Sequence, residues 1–153
     1  MEAIDIESRS RGNAMEKGMM IDQLEVGQIH ESSVTITEEM IERFAQATGD
    51  HNPIHLDEDY AKGTIFKTRV AHGMLQAGIL SGVIGTRFPG VGTIYLSQTL
   101  KFLKPVFIGD EITFRLMVVE LLKEKNRARL ETVCINQRGE TILTGEALVM
   151  PPA

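Results

Sequence analysis

The sequence predicts an α+β fold in which one antiparallel sheet wraps around one long apolar helix. Three observations lead there. Helical patterns come first and strand patterns follow, an order that gives α+β and not alternating β–α units. Residues 71–85 read AHGMLQAGILSGVIG, apolar nearly all round, so this helix is expected to be buried on most sides. Near the middle of the strand region, Ile112, Phe114, Leu116 and Val118 alternate with Glu111, Thr113 and Arg115, the pattern of a sheet with one buried face.

Length and composition bound the rest. The chain has 153 residues, 42% hydrophobic and 24% charged, enough for one domain with a real core. Residues 1–20 are polar and mixed in charge, without the apolar run of a signal peptide, and read as a flexible extension. Residues 21–153 read as a single domain. The longest apolar-rich run, Met74 to Ile84, falls short of the roughly 20 residues of a membrane span. The single cysteine, Cys134, allows no internal disulfide and reads as a small core residue in a reducing compartment, so a cytoplasmic location is expected. A net charge of −5 supplies no broad basic face for nucleic acid.

Taken in order, Gly27 to Thr35 is a lead-in strand. Thr37 caps a helix whose first turn carries Glu38 and Glu39, where acidic groups suit the helix dipole. Ile41, Phe44, Ala45 and Thr48 keep the helical spacing, and Gly49 is placed to end it. Pro53 fixes its own φ and moves Asn52 out of the helical region, so Gly49 to His55 (GDHNPIH) is expected to be a bend and not a helix. Asp57 caps a short helix that Gly63 ends. In the long apolar helix, Gly73, Gly78, Gly82 and Gly85 each cost roughly 1 kcal/mol against alanine. That cost suggests close approach by a neighbouring backbone or a ligand. Strands are expected over Gly92–Leu103, Glu111–Leu122, Arg127–Gln137 and Thr141–Met150, joined by turns at 108–110, 123–126 and 137–139.

The chemistry gathers in two pieces, GDHNPIH at 49–55 and AHGM at 71–74. A bend at Asn52-Pro53 can turn Asp50 and His55 towards one point. A carboxylate and an imidazole aimed at one small volume can take a proton from water and give one back. An imidazole, with an ordinary pKa of about 6.5, can pull on water at neutral pH. The bland reading keeps Asp50 as an acceptor of backbone N–H groups in a turn. His51, His55 and His72 lack the HxxxH or HExxH spacing of a metal site, so no metal is expected. His72 reads as structural, and His51 is given no role.

The D-x-N-P-x-H string at 50–55, the following HLDEDYA, the AHGM at 71–74 and GTIYLSQTLKFLKPVFIGDEI at 92–112 resemble the MaoC-like (R)-specific enoyl-CoA hydratases. The likeness runs from about Leu24 to Met150. It implies the hotdog fold, a homodimer or a dimer of dimers, and reversible syn hydration of trans-2-enoyl-CoA to (R)-3-hydroxyacyl-CoA. It implies no metal or organic cofactor, CoA being part of the substrate. By position it implies Asp50 and His55 as the catalytic dyad and Gly73 as the N–H donor to the thioester oxygen. It also implies Asn52 as a support of the loop and Ser81 as a residue near the site. Ser81 could instead bond to the carbonyl one turn back. Ile84, Phe88 and Tyr95 are candidates to line the acyl tunnel, or equally ordinary core. Lys62, Lys67, Arg69, Arg87, Lys101 and Lys104 are candidates for the CoA phosphates, with none singled out.

Fold does not decide among the hydratases, acyl-carrier-protein dehydratases and thioesterases that share it. A carrier-protein dehydratase would want a basic docking patch, against which a charge of −5 leans mildly. A thioesterase does not require D-x-N-P-x-H. A non-catalytic acyl-CoA-binding subunit would not need the intact dyad.

Overall fold

The computed structural model describes residues 16–153 and the backbone of a two-residue strand before them. That strand is β1 (Glu2–Ala3), followed by β2 (Ile29–Thr35), α1 (Glu38–Thr48), α2 (Pro53–Leu56), α3 (Glu58–Lys62) and α4 (Gly73–Thr86). Then come β3 (Ile94–Gln98), β4 (Lys101–Phe102), β5 (Glu111–Leu122), β6 (Arg127–Ile135) and β7 (Thr141–Met150). The strands form one sheet in the order β1-β2-β5-β6-β7-β3, with β4 also pairing β7. Among the described pairs only β1 with β2 is parallel. With α4 packed on the sheet, this is the hotdog fold.

The core follows from the alternation. Ile112, Phe114, Leu116 and Val118 of β5, Ala128, Leu130 and Cys134 of β6 and Leu143, Ala147 and Val149 of β7 are buried in one cluster. From α4 it takes Leu75, Leu80, Val83 and Ile84. The opposite side of α4 is not covered as the all-round apolar pattern suggests. Met74, Gly78, Ser81 and Gly82 are exposed. Nor do the helix glycines mark close approach throughout. A Cβ on Gly78, Gly82 or Gly85 would meet nothing within 4 Å, and only at Gly73 would it meet a neighbour, the ring of Phe102, at 2.8 Å. Helix periodicity shows which residues share a face, but not whether another element covers it.

The strand expected over Gly92–Leu103 is broken between β3 and β4. Thr99 N–H donates to Glu146 O at 2.9 Å and Thr99 Oγ1 accepts from Glu146 N–H at 3.0 Å. The Thr99 carbonyl oxygen lies only 1.8 Å from where a Cβ on Gly145 would stand, so the crossing requires glycine in β7.

Of the extension expected over residues 1–20, residues 1 and 4–15 lie outside the described part. Residues 17–19 are docked. Gly18 N–H donates to Val91 O at 2.9 Å, Met19 N–H to Pro89 O at 2.8 Å and Lys17 Nζ to Ala153 O at 2.6 Å.

At the far end of the sheet the turn after β6 closes on the loop before β5. Asp110, 6% exposed, accepts from Gln137 Nε2 at 2.8 Å, from Phe107 N–H at 3.0 Å and from Arg138 Nη1 at 3.3 Å. Burial pushes its carboxyl pKa up, but the three donors together outweigh it and hold the carboxyl below the ordinary carboxylate value.

Gly145→Ala should lower stability by about 2 kcal/mol or more through overpacking, while Gly85→Ala should raise it by about 0.5–1 kcal/mol. Denaturant midpoints check both. Asp110→Asn should cost roughly 2 kcal/mol at pH 7. A depressed folded pKa gives stability that is present above the unfolded value, about 3.8, and lost as pH falls through the folded one. The gap between wild type and Asp110→Asn should therefore shrink as pH drops below about 4, as read from unfolding at a series of pH values.

Candidate active site

Each helix end around the two sequence pieces is fixed locally. Thr37 Oγ1 accepts from Met40 N–H at 3.2 Å to start α1, and Gly49, at φ 79°, ends it in the left-handed conformation. Asp50 N–H donates to Thr48 Oγ1 at 3.3 Å, and Asp50 Oδ1 accepts from Asn52 N–H at 3.2 Å. The carboxylate therefore serves the turn, as the bland reading has it, with its remaining lone pairs left over. Asn52 takes a non-helical conformation before Pro53, and its side chain accepts from Ile54 N–H at 3.2 Å.

The expectation of a bend without helix needs correction here. Pro53 is the first residue of α2, a single turn that carries His55. Proline's missing N–H costs nothing at that position, because the first helical N–H groups lack internal partners anyway. The bend is confined to residues 49–52. Asp57 then caps α3 by accepting from Tyr60 N–H at 3.1 Å.

His55 is held by the stretch between the two pieces. Its Nδ1 lies 2.7 Å from Val70 O. A carbonyl can only accept, so Nδ1 carries the proton and Nε2 of the neutral ring keeps a free lone pair. Val70 N–H in turn donates to Ile54 O at 3.3 Å, and Ala71 N–H to Val106 O at 2.8 Å. Arg69, beside Val70, bonds Glu38 of α1 at 2.8 Å and reaches Glu58 of α3 at 3.7 Å. It is committed to these acids and not free for a phosphate.

One carboxylate oxygen of Asp50, one ring nitrogen of His55 and one of His72 all lie within 4.8 Å of each other. Asp50 is exposed, His55 half-buried and His72 buried. An Asp50 oxygen and a His55 nitrogen no more than 4.8 Å apart can both reach one bridging water. His72 Nε2 donates to the Asp50 carbonyl at 3.0 Å, and its ring stacks on His55 with centroids 3.8 Å apart and planes 30° apart. Burial, the dominant influence, lowers the His72 pKa below the usual imidazole value. The three residues offer a metal donor set by type. Imidazole lone pairs lie in the ring plane, however, and planes this close to parallel do not meet near both rings, so the stack presents a poor pair of ligands.

Gly73 is the first residue of α4, and no side chain caps that helix. Its N–H has no acceptor among the described residues and sits at the positive end of the dipole. Two cavities flank this point. One, of about 390 Å³, is lined by Asn52, His55, Gly73, Met74, Phe102 and Lys104 among others. The second, of about 620 Å³, is lined by Phe44, Asp50, Met74, Gly78, Ser81 and Tyr95 among others. The dyad thus faces both, and Met74 borders both.

Ser81 shares the second cavity with Asp50, with no hydrogen bond between them. Tyr95 lines it too, its hydroxyl bonded to Gln98 and its pKa raised to about 12, chiefly by burial. Ile84 and Phe88 line neither cavity. They are 1% and 3% exposed and belong to the core, the alternative the sequence left open. Among the cation candidates, Lys104 reaches the first cavity but is paired with Glu140, and Lys62 is paired with Asp59. Phe102, Met74 and Gln98 were not legible as site residues. An apolar residue on a short strand or helix carries no mark of the cavity it lines.

The chain is 47% identical over 132 residues to an (R)-specific enoyl-CoA hydratase of Rhodospirillum rubrum, covering 86% of this chain and 91% of that protein. It is 36% identical over 132 residues to a mitochondrial 3-hydroxyacyl-(acyl-carrier-protein) dehydratase of Solanum lycopersicum, covering 85% and 79%. Among solved structures, an unliganded R-hydratase from Pseudomonas aeruginosa superposes with a TM-score of 0.85 at 47% identity, covering 88% of this chain and 86% of that one. The family described as MaoC like domain matches residues 23–140. A match over most of the chain, with full-length relatives well above 30% identity, means that this chain belongs to the MaoC-like domain family.

Proposed function

We propose that the chain is an (R)-specific enoyl-CoA hydratase, a hydro-lyase that adds water reversibly and syn to trans-2-enoyl-CoA. The observation that carries this reading is the convergence of an Asp50 carboxylate oxygen and a His55 ring nitrogen within 4.8 Å, with Gly73, whose N–H has no acceptor among the described residues, lining the same cavity as His55. His55 Nε2 takes a proton from the water as its oxygen bonds to C3, and Asp50 orients that water. The electron pair of the double bond moves onto the thioester oxygen, which accepts from Gly73 N–H. C2 then receives a proton from the dyad, and the thioester carbonyl reforms. Both new bonds arise on the face presented to the dyad, hence syn. Positioned acid–base help is typically worth about 10²–10⁴ in rate, and one oxyanion donor roughly 3 kcal/mol. No metal or organic cofactor enters any step.

The apolar second cavity suits the acyl chain, and Tyr95, with Ser81 beside Asp50, lines it. A homodimer fits the unpartnered edge: β3 ends the sheet, and its Ile94 and Leu96 are exposed. No described helix is long and apolar enough to cross a membrane. The tomato relative favours a second reading, in which the thioester is borne by an acyl carrier protein. The chemistry would be unchanged and only the carrier would differ.

Added to crotonyl-CoA, the protein should remove the enoyl-thioester ultraviolet absorbance without releasing free thiol. Release of thiol would indicate a thioesterase, and neither signal a binding subunit. Asp50→Asn and His55→Gln should each lower kcat by about 10²-fold or more with the fold intact. Full activity in a folded His55→Gln protein would end the proposed mechanism. Light scattering should give a species of at least twice the chain mass.

A further inference from the structure

His72 lines neither cavity, yet its contacts converge on the site. Its Nε2–H holds the Asp50 carbonyl at 3.0 Å. One face of its ring lies on His55, and Phe44 of α1 packs beside it with centroids 4.8 Å apart. Its backbone is the cap position immediately before Gly73. One side chain therefore touches both members of the dyad from the residue that leads into the oxyanion donor.

The same ring is a poor choice for stability alone. It is 2% exposed, and Nδ1 has no hydrogen-bond partner. An unpaired buried polar atom destabilises the fold, and a phenyl ring would fill the space without one. We infer that His72 is a positioning residue for hydration: it fixes the Asp50 main chain and the His55 ring plane so that both face one water. This rests on the hydratase reading above. Burial favours the neutral ring, so His72 does not set a second cation against His55 when that residue takes a proton.

Two variants divide its contacts. His72→Phe keeps a ring against His55 and loses the bond to Asp50. His72→Gln keeps an N–H at similar reach and loses the ring. In crotonyl-CoA hydration, His72→Phe should melt at or above the wild-type temperature while kcat falls about tenfold or more and KM stays within about threefold. His72→Gln, which lacks the stacked ring, should also lose about threefold or more of kcat. Either variant, folded and with kcat within about twofold of wild type, overturns the inference. Should His72→Phe not fold, His72→Gln is compared with His72→Asn, whose side chain is too short to reach Asp50 O; loss of both contacts in His72→Asn should lower kcat further, and equal activity in the two overturns the inference. If wild type hydrates no enoyl thioester, the hydratase reading fails by itself. The nitrogen-15 signals of the His55 ring then decide the inference without substrate. They should be sharp in wild type, one ring orientation, and broadened by exchange between orientations in His72→Asn, and unchanged signals overturn it.

Discussion

The hydrogen bond from His55 Nδ1 to the Val70 carbonyl is the contact on which the site depends. It ties α2 to the strand-like stretch fifteen residues on and sets the protonation pattern of the imidazole at once. With Nδ1 committed, the basic lone pair can only be on Nε2. Val70 is itself fixed on both sides, by Ile54 through its own N–H and by an isolated bridge to Phe107 before β5. Arg69 ties the same stretch to α1 and α3 through Glu38 and Glu58. A local bond thus inherits the rigidity of the sheet, and a positioned base is worth more than a mobile one.

Around that contact lie two cavities, both lined mainly by apolar groups. The Asp50 side is open, and Asp50 keeps hydrogen bonds to the turn while facing the larger cavity. The His55 side is the smaller cavity and is lined by Phe102, whose ring rests on Gly73. A side chain at Gly73 would have to displace that ring, so glycine here keeps an approach open to the backbone N–H. Met74 stands between the two spaces.

Much of the architecture was readable from residue order. β5 and β7 lie over the ranges their alternation marks, and Thr37, Gly49, Asp57 and Gly63 bound their helices as their chemistry suggests. These features are local: a cap or an alternating strand needs only neighbours in sequence. The Asn52-Pro53 step was half-read. Its constraint on residue 52 was legible, but the turn of helix that carries His55 was not, because proline both breaks a preceding helix and begins a new one.

The sequence by itself determined the α+β class, the places of β2, β5, β6 and β7 and the pairing of an acid and an imidazole around a fixed bend. Only tertiary structure decided which atoms of those residues are available. Val70 selects the His55 nitrogen, and His72 stacks on it from the start of a helix. The outer face of α4 is left uncovered, and β3 is cut from β4 where Thr99 crosses Gly145. Each of these is a contact between segments separated in the chain. Residue type fixes what a group can donate, accept or bury, but the partner that uses this capacity is chosen by the packing of the whole domain.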